Sequence, residues 1–312
     1  MEPILTKKKN PSSSKELEST LASQVIQFNE GDRLPSIREL AGITGMSIGA
    51  VSKALNSLEE SGAVNYERRG RSGSVVIDLS LGELWNRIEG VPLVIAMTLP
   101  MHRRFEGLVT GVKKALERAG IATYLIFIRG SRTRLKALRE NRCHVAIMSG
   151  LAADELCTPE QETMLTLPPR SWLADYCIFY RASLTEDAGS QRVAIDPDSF
   201  DHKRLTELEF SGQQVVYRST PFVQFPRLLK NGDVDVVMWT SDQEEAFTGA
   251  GIHRRPLSKQ VMDLVGEKSI SAAFIASKGN EVVRAILEAT IKAEEIMEIQ
   301  KRVVSGELIP EY

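Results

Sequence analysis

Residues 31–76 constrain this chain more than any other stretch: GDRLPSIRELAGITGMSIGAVSKALNSLEESGAVNYERRGRSGSVV. The spacing predicts a short helix, a tight turn, a longer helix and a basic hairpin. Ser36 is placed to cap the first helix, and Glu39 three residues later completes a capping box. Ile37, Leu40 and Ala41 give that helix its apolar face. Gly45-Met46 makes the turn and Ser47 caps the second helix. There Val51, Leu55 and Leu58 recur at helical spacing, with Lys53 and Asn56 between them. Gly62 ends it. Residues 63–66 and 74–77 then pair as strands around Arg68-Arg69-Gly70-Arg71-Ser72-Gly73. Such an arrangement is a winged helix-turn-helix, which sets one helix in the major groove and a basic hairpin beside it.

The stretch resembles the DNA-binding domain of the GntR family of bacterial transcription regulators. The likeness rests on residues 31–36, Arg38 to Ala41, Ser47, Val51, Ala54-Leu55, Leu58-Glu59, Gly62 and the Gly70-to-Gly73 wing. It implies contacts to double-stranded DNA from Arg38, Ser47, Ile48, Ala50, Lys53, Arg69, Gly70 and Arg71. In that family Arg commonly follows the capping Ser, and a Thr often comes two residues later. Here Ile48 and Ala50 stand there, able to touch a thymine methyl but not to hydrogen-bond a base edge. Arg38, Ser47 and Lys53 are therefore expected to contribute most on the helices, and the wing to hold phosphates. A solvated turn remains the other reading of Arg69 and Arg71.

Charge sets a limit on how that domain binds. Residues 1–77 carry ten Lys plus Arg against nine Asp plus Glu, so no broad positive field drives non-specific attachment. Two copies acting together, a homodimer, are the physical expectation. The 312 residues, 42% hydrophobic and 26% charged, leave room for further compact domains of ordinary globular composition. Cys143, Cys157 and Cys177 are odd in number and lack metal spacing, which fits reduced thiols in a cytoplasmic protein. The opening residues contain no long apolar run, so neither a signal peptide nor a membrane anchor is expected there.

After a helix over 14–28 and the reader, residues 79–90 (LSLGELWNRIEG) read as a linker helix with Leu81, Leu84, Trp85 and Ile88 on one side. From residue 91 short apolar strands alternate with helices: 91–99, a helix over 105–119, 122–128, a helix over 132–140 and 144–149. A second set follows in 175–181, 192–198, 199–208, 214–219, 221–230 and 234–239. One more strand, 272–277, and a long helix over 281–304 complete the chain. Such alternation predicts parallel sheets covered by helices, with ligands at the carboxyl ends of the strands. LRENRCHVAIMS (138–149) and LKNGDVDVVMW (229–239) run alike from a helix end through a polar turn into a buried strand.

The expected fold is thus multi-domain α+β: a winged helix-turn-helix followed by a two-lobed α/β domain that resembles type 2 periplasmic-binding proteins. The expected boundaries are 1–78 for the reader, 79–90 for the linker helix and 91–312 for the effector domain. One lobe comprises 91–172 and 256–312, the other 173–255. Leu99-Pro100, residues 103–108, Arg129-Gly130-Ser131 and Ser149-x-Leu151-Ala152 extend the resemblance over essentially the full length to the family of regulators called YhfZ. That resemblance supplies no ligand.

If the lobes enclose a cleft, Arg103, Arg104, Gly130, Ser131, Ser149, Asp196, Ser219, Thr220, Trp239 and Thr240 end strands or open helices beside it. Gly130-Ser131 precedes a helix and offers free N–H groups to an anion; Ser131 as an ordinary cap fits equally. Arg103 and Arg104 suit a carboxylate or phosphate, with one of them also readable as a surface charge. Trp239 also fits a core position, and Asp196-Pro197-Asp198 a turn. The four histidines are scattered singly, without metal spacing, and GxSxG, Walker and GxGxxG motifs are absent. The reading is a regulator with an unidentified small-molecule effector, no cofactor and no catalytic set. A type 1 sugar sensor, a cofactor-dependent enzyme-like domain or a purely architectural DNA binder are the alternatives.

Overall fold

The helix-turn-helix forms from its own capping residues. A computed structural model describes residues 11–69, 73–181, 190–249 and 251–312. Helix α1 (Ser14–Val25) is followed by the short strand β1 (Arg33–Leu34), α2 (Ile37–Thr44) and α3 (Ile48–Glu60). Both bonds of the capping box join Ser36 and Glu39, and Gly45 ends α2 in the left-handed region at φ 68°. The Ser47 hydroxyl accepts from the Ala50 amide to start α3. Strands β2 (Val64–Arg68) and β3 (Ser74–Leu79) form the wing, and β3 lies between β1 and β2, antiparallel to both. Leu17, Leu21, Leu40, Val51, Leu58 and Val76 close this small core.

Helix α4 (Leu81–Ile88) is the segment expected as a linker. It lies against α1 with Leu84 and Trp85 buried. The Trp85 indole N–H donates to the Val91 carbonyl at 2.8 Å, the Ser19 hydroxyl donates to the Ile88 carbonyl, and Arg87 pairs with Glu18 at 3.2 Å. The other side of α4 meets the turn at Gly120 so closely that a Cβ on Gly82 would lie 2.2 Å from the Gly120 carbonyl oxygen.

Two further five-stranded sheets carry the rest of the chain. The first is built from β4 (Leu93–Met97), β5 (Thr123–Phe127), β6 (Val145–Ser149), β7 (Gln161–Pro169) and a late strand. Helices α5 (Arg103–Arg118), α6 (Ser131–Arg139) and α7 (Gly150–Leu156) connect them. The chain then crosses through residues 170–176 into β8 (Cys177–Arg181), β9 (Gln191–Ile195), α8 (Phe200–Glu209), β10 (Val215–Ser219), α9 (Phe225–Asn231), β11 (Val236–Trp239) and β12 (Ile252–Pro256). It returns by α10 (Lys259–Val265) to β13 (Ser271–Ser277) and ends in α11 (Glu281–Thr290) and α12 (Ala293–Val304).

The sheet orders match: β5-β4-β6-β13-β7 and β10-β9-β11-β8-β12. In each, the strand that arrives from the other sheet is antiparallel to both neighbours and sits between the third and fourth strands. The paired sequences 138–149 and 229–239 deliver β6 and β11, which hold the same place in the two sheets. Three expectations are corrected. Strands β7 and β12 form in segments for which no element was expected. The single helix over 281–304 is two, because Ile291 leaves the helical region at φ −87°, ψ 93°. Short helices α7 and α10 also occupy segments with no expected element.

By internal packing the chain divides into two units. One takes residues up to Val94 with Lys113–Tyr124 and Gly279–Lys292, and so contains the reader and α4. The other comprises Ile95–Val112, Leu125–Lys278 and Ala293–Tyr312. Among the described residues no helix is long and apolar enough to cross a membrane.

Candidate functional sites: the reader face and an inter-sheet cavity

On the reader, the first turn of α3 is left bare. Ile48 is 52% exposed despite being aliphatic, and Gly49, Lys53 and Asn56 share the exposed side of the helix. Arg38 is exposed on α2, Ser47 is exposed at its cap and Ala50 is half-buried. Arg69 is exposed but paired with Glu67 at 2.7 Å, so part of its charge is already answered. Gly70 and Arg71 lie outside the described residues. Arg68, which the sequence reading did not single out, reaches from β2 to α3: its guanidinium donates to Asn56, Glu59 and the Tyr66 hydroxyl at 3.2–3.3 Å. That fan bridges wing strand β2 and helix α3.

The second unit contains a cavity of about 760 Å³, counted to its open mouth. Its walls come from the carboxyl ends of parallel strands, where ligands of such sheets bind. Thr98, Met101, His102 and Phe105 follow β4; Arg129, Gly130, Ser131 and Arg134 follow β5; Ser199, Phe200, Asp201 and His202 follow β9; Phe222 follows β10; and Trp239 ends β11, with Thr240 and Gln243 after it. The crossing segment contributes Trp172, Leu173 and Tyr176.

Of the ten effector positions expected from sequence, Gly130, Ser131, Trp239 and Thr240 line this cavity. The other six lie off it. Arg103 is exposed, 3.8 Å from Glu106. Arg104 is held by Asp242 at 2.8 Å and donates to the Arg170 carbonyl. Ser149 is buried, caps α7 and donates to Asp201. Asp196 is buried and forms a turn with the Asp198 amide, while accepting from the Phe222 amide and Arg129. Ser219 is exposed at the end of edge strand β10, and the Thr220 amide closes onto the Ile195 carbonyl.

The wall holds polar groups that sequence reasoning missed. Arg134 is only 2% exposed. Its guanidinium donates to the Ile128 carbonyl at 2.8 Å and the Ser131 hydroxyl at 3.0 Å. Burial lowers its pKa to about 10, with Asp201 opposing. The Asp201 carboxyl is pushed up to about 6 by the same burial, against the Ser149 hydroxyl and Arg134. His202 accepts from the Asp196 amide through Nδ1 at 3.4 Å and donates through Nε2 to the Met238 carbonyl at 2.8 Å, the neutral tautomer. The signal was present in the pattern. Arg134 falls in the inward stripe 131, 134, 135, 138 of α6, and Asp201 and His202 open the inward stripe 201, 202, 205, 206 of α8. A charge set among buried stripe positions is the informative exception in such a pattern, because charged residues are rarely buried without a reason.

The family model described as "YhfZ C-terminal domain" matches residues 81–312, and one described as "Helix-turn-helix domain" matches residues 29–76. "Uncharacterized protein YhfZ" of Escherichia coli (strain K12) is 31% identical over 295 residues, covering 94% of this chain and 96% of that protein. The chain belongs to the YhfZ family. The crystal structure of YhfZ from Shigella flexneri superposes with a TM-score of 0.61 at 26% identity, over 74% of this chain and 98% of that one. The periplasmic aliphatic sulphonate binding protein SsuA from Escherichia coli, 12% identical, gives a TM-score of 0.51 over 69% of this chain and 75% of its own. The two-sheet part of this YhfZ-family chain therefore has a fold like that of periplasmic-binding proteins.

Proposed function

We propose that this YhfZ-family protein is a sequence-specific DNA-binding transcription regulator of bacteria whose operator affinity responds to a small molecule in the inter-sheet cavity. The observation that carries it is the joining, in one chain, of a capped helix-turn-helix with a bare recognition face to a two-sheet domain whose strand ends enclose a lined cavity. The reader is of GntR type, on the residues that match that family. The interposed antiparallel strand in both sheets favours a type 2 over a type 1 binding-protein fold. The protein acts as a cytoplasmic homodimer that sets two recognition helices on half-sites about one helical turn apart, or a multiple of it. It carries out no catalytic step.

Helix α4 is the proposed coupling element. It is bonded to α1 of the reader and wedged against Gly120, so a ligand-dependent shift that reaches α4 moves the reader with it. Only a ligand that binds two states with different affinity can do this.

Selection of bound sequences from a random duplex pool by the full-length chain tests the first half. Enrichment of a palindromic motif is expected; a pool that stays random overturns the reader assignment. Anisotropy on the selected motif, repeated with each compound that raises the protein's melting temperature, tests the second. An affinity that no stabilising compound changes overturns the effector role.

A further inference from the structure

Five buried side-chain nitrogens on the cavity wall have no protein partner: both ring nitrogens of His102, Nε of Arg129, Nε of Arg134 and Nε1 of Trp239. Arg134, Trp239 and His102 are each more than nine-tenths buried. An unpaired buried donor costs about 1–3 kcal/mol, more when charged, so donors gathered round one cavity mark it as a place where acceptors arrive. No side-chain oxygen of this wall is left buried and unpartnered in the same way, among the described residues. A neutral His102 ring keeps one acceptor nitrogen beside its one N–H, but the other unpartnered side chains, Arg129, Arg134 and Trp239, are donors only, so the wall as a whole asks for oxygen.

The backbone points the same way. Helices α6 and α8 both open onto the cavity, and neither N-cap, Gly130 nor Ser199, makes a side-chain cap bond. Their first amides and the positive ends of their dipoles therefore remain for a ligand. Gly130 holds φ 84°, and a Cβ there would lie 2.9 Å from the Asp198 carbonyl oxygen, so the approach to the start of α6 stays narrow. Charge narrows the class further. Arg129 is already answered by Asp196 and Asp198. Arg134 has neutral partners in the Ile128 carbonyl and Ser131 hydroxyl, and Asp201 is the carboxylate near it. Five aromatic side chains share the wall with these groups: Phe105, Trp172, Tyr176, Phe200 and Phe222.

Resting on the effector reading above, we infer that the ligand is a small organic acid whose carboxylate or phosphate is seated by Arg134, the Trp239 indole N–H and the start of α6, with its apolar body against the aromatic wall. Arg134 is the residue that discriminates the acid from its neutral analogue, because its Nε–H is the charged donor left over.

The full-length chain reports on this directly, since Trp172 and Trp239 line the cavity while the Trp85 indole N–H is bonded to the Val91 carbonyl. Tryptophan fluorescence is titrated with 3-phenylpropionate and phenyl phosphate, and in parallel with 3-phenylpropionamide and galactose. The acids are expected to bind at least about tenfold tighter than the amide, the size of one charge-assisted hydrogen bond. The stronger of the two acids tells a carboxylate ligand from a phosphate. Arg134→Gln should weaken the acids more than the amide and so shrink that difference to less than about threefold. Should that variant not fold, Trp239→Phe keeps a ring and deletes the N–H, and Trp172 still reports; the acids should weaken more than the amide. Equal binding of acid and amide overturns the inference. A response to galactose or the amide but to neither acid overturns it too, and leaves the effector site standing. Silence towards all four overturns the inference, while the effector reading stands or falls separately on the melting and anisotropy test above.

Discussion

Arg104, at the start of α5, grips Asp242, in the segment after β11, through Nε at 2.8 and 3.0 Å. The pair spans the two sheets beside the cavity, and both side chains are mostly buried, 17% and 7% exposed. Asp242 also accepts from the Ala174 amide of the crossing segment, and the neighbouring Gln243 donates to the Met101 carbonyl. Strand end, crossing and helix start are thereby tied at one carboxylate. Arg104, which sequence reasoning assigned to the ligand, is in this structure a clasp between the walls of the cavity.

Removing one partner of that clasp should be costly. Arg104→Met leaves the Asp242 charge buried without its cation, and a loss of about 3 kcal/mol in urea unfolding of the full chain is expected. Asp242→Asn keeps an oxygen acceptor for the Ala174 amide, so its loss should be smaller. Equal stability of wild type and Arg104→Met would show the clasp to be a surface contact.

The reader makes a different kind of prediction, since its side chains are exposed and their removal should hardly change stability. Lys53→Ala should cost about 1–3 kcal/mol on the selected operator and relax sequence preference if Lys53 meets a base edge. Arg68→Ala should weaken selected and random duplexes alike, because it loosens the wing against α3. Anisotropy with both duplexes distinguishes them. A uniform loss from Lys53→Ala would reassign that residue to phosphate.

Local signals explain why the reader was legible and the second sheets were not entirely so. Ser36, Glu39, Gly45 and Ser47 act within four residues of themselves, so their effect on α2 and α3 stands in the sequence. Strands β7 and β12 are edge strands whose formation depends on partners far along the chain. β12, IHRRP, has two charged residues in five and ends in Pro, and β7 is buried at every third rather than every second position. Neither shows the alternation by which strands are recognised. The cavity was legible as a place, through its strand ends, more than as a residue set. Arg104 and Arg134 are both arginines near a helix start, and which of them faces the cavity is decided by the position of Asp242, 138 residues away.

The junction at α4 can be tested by one methyl group. Gly82→Ala brings a Cβ to 2.2 Å from the Gly120 carbonyl oxygen, a backbone atom with no rotamer to escape into, and about 1–3 kcal/mol of destabilisation is expected from the displacement. Gly42→Ala, in α2 with open space around it, is the control. There the better helix propensity of Ala should be neutral or add up to about 1 kcal/mol. Thermal unfolding of the two variants side by side gives the answer. If Gly82→Ala matches the control, α4 and the Gly120 turn are not in firm contact.

Folding should depend on pH through the cavity wall. Burial lowers His102 and His202 to about 4, and raises Asp201 to about 6. Around these groups stand Arg104 and Asp242 for His102, Asp196 for His202, and Arg134, Glu155 and Ser149 for Asp201. A histidine with a depressed folded pKa contributes stability that is present above its unfolded value near 6.5 and lost as pH falls towards 4. Asp201 acts in the opposite sense: its contribution is full below the unfolded value of 3.8 and lost as pH rises through 6. Two histidines outweigh one aspartate, so net stability should decline from pH 6.5 downwards. Asp201→Asn removes the opposing group and keeps an acceptor for the Ser149 hydroxyl. That variant should be more stable than wild type at neutral pH, on the order of 1–3 kcal/mol, and should lose stability more steeply on acidification. Urea midpoints measured across this pH range provide the check, and parallel profiles for the two proteins would mean that Asp201 does not change protonation there.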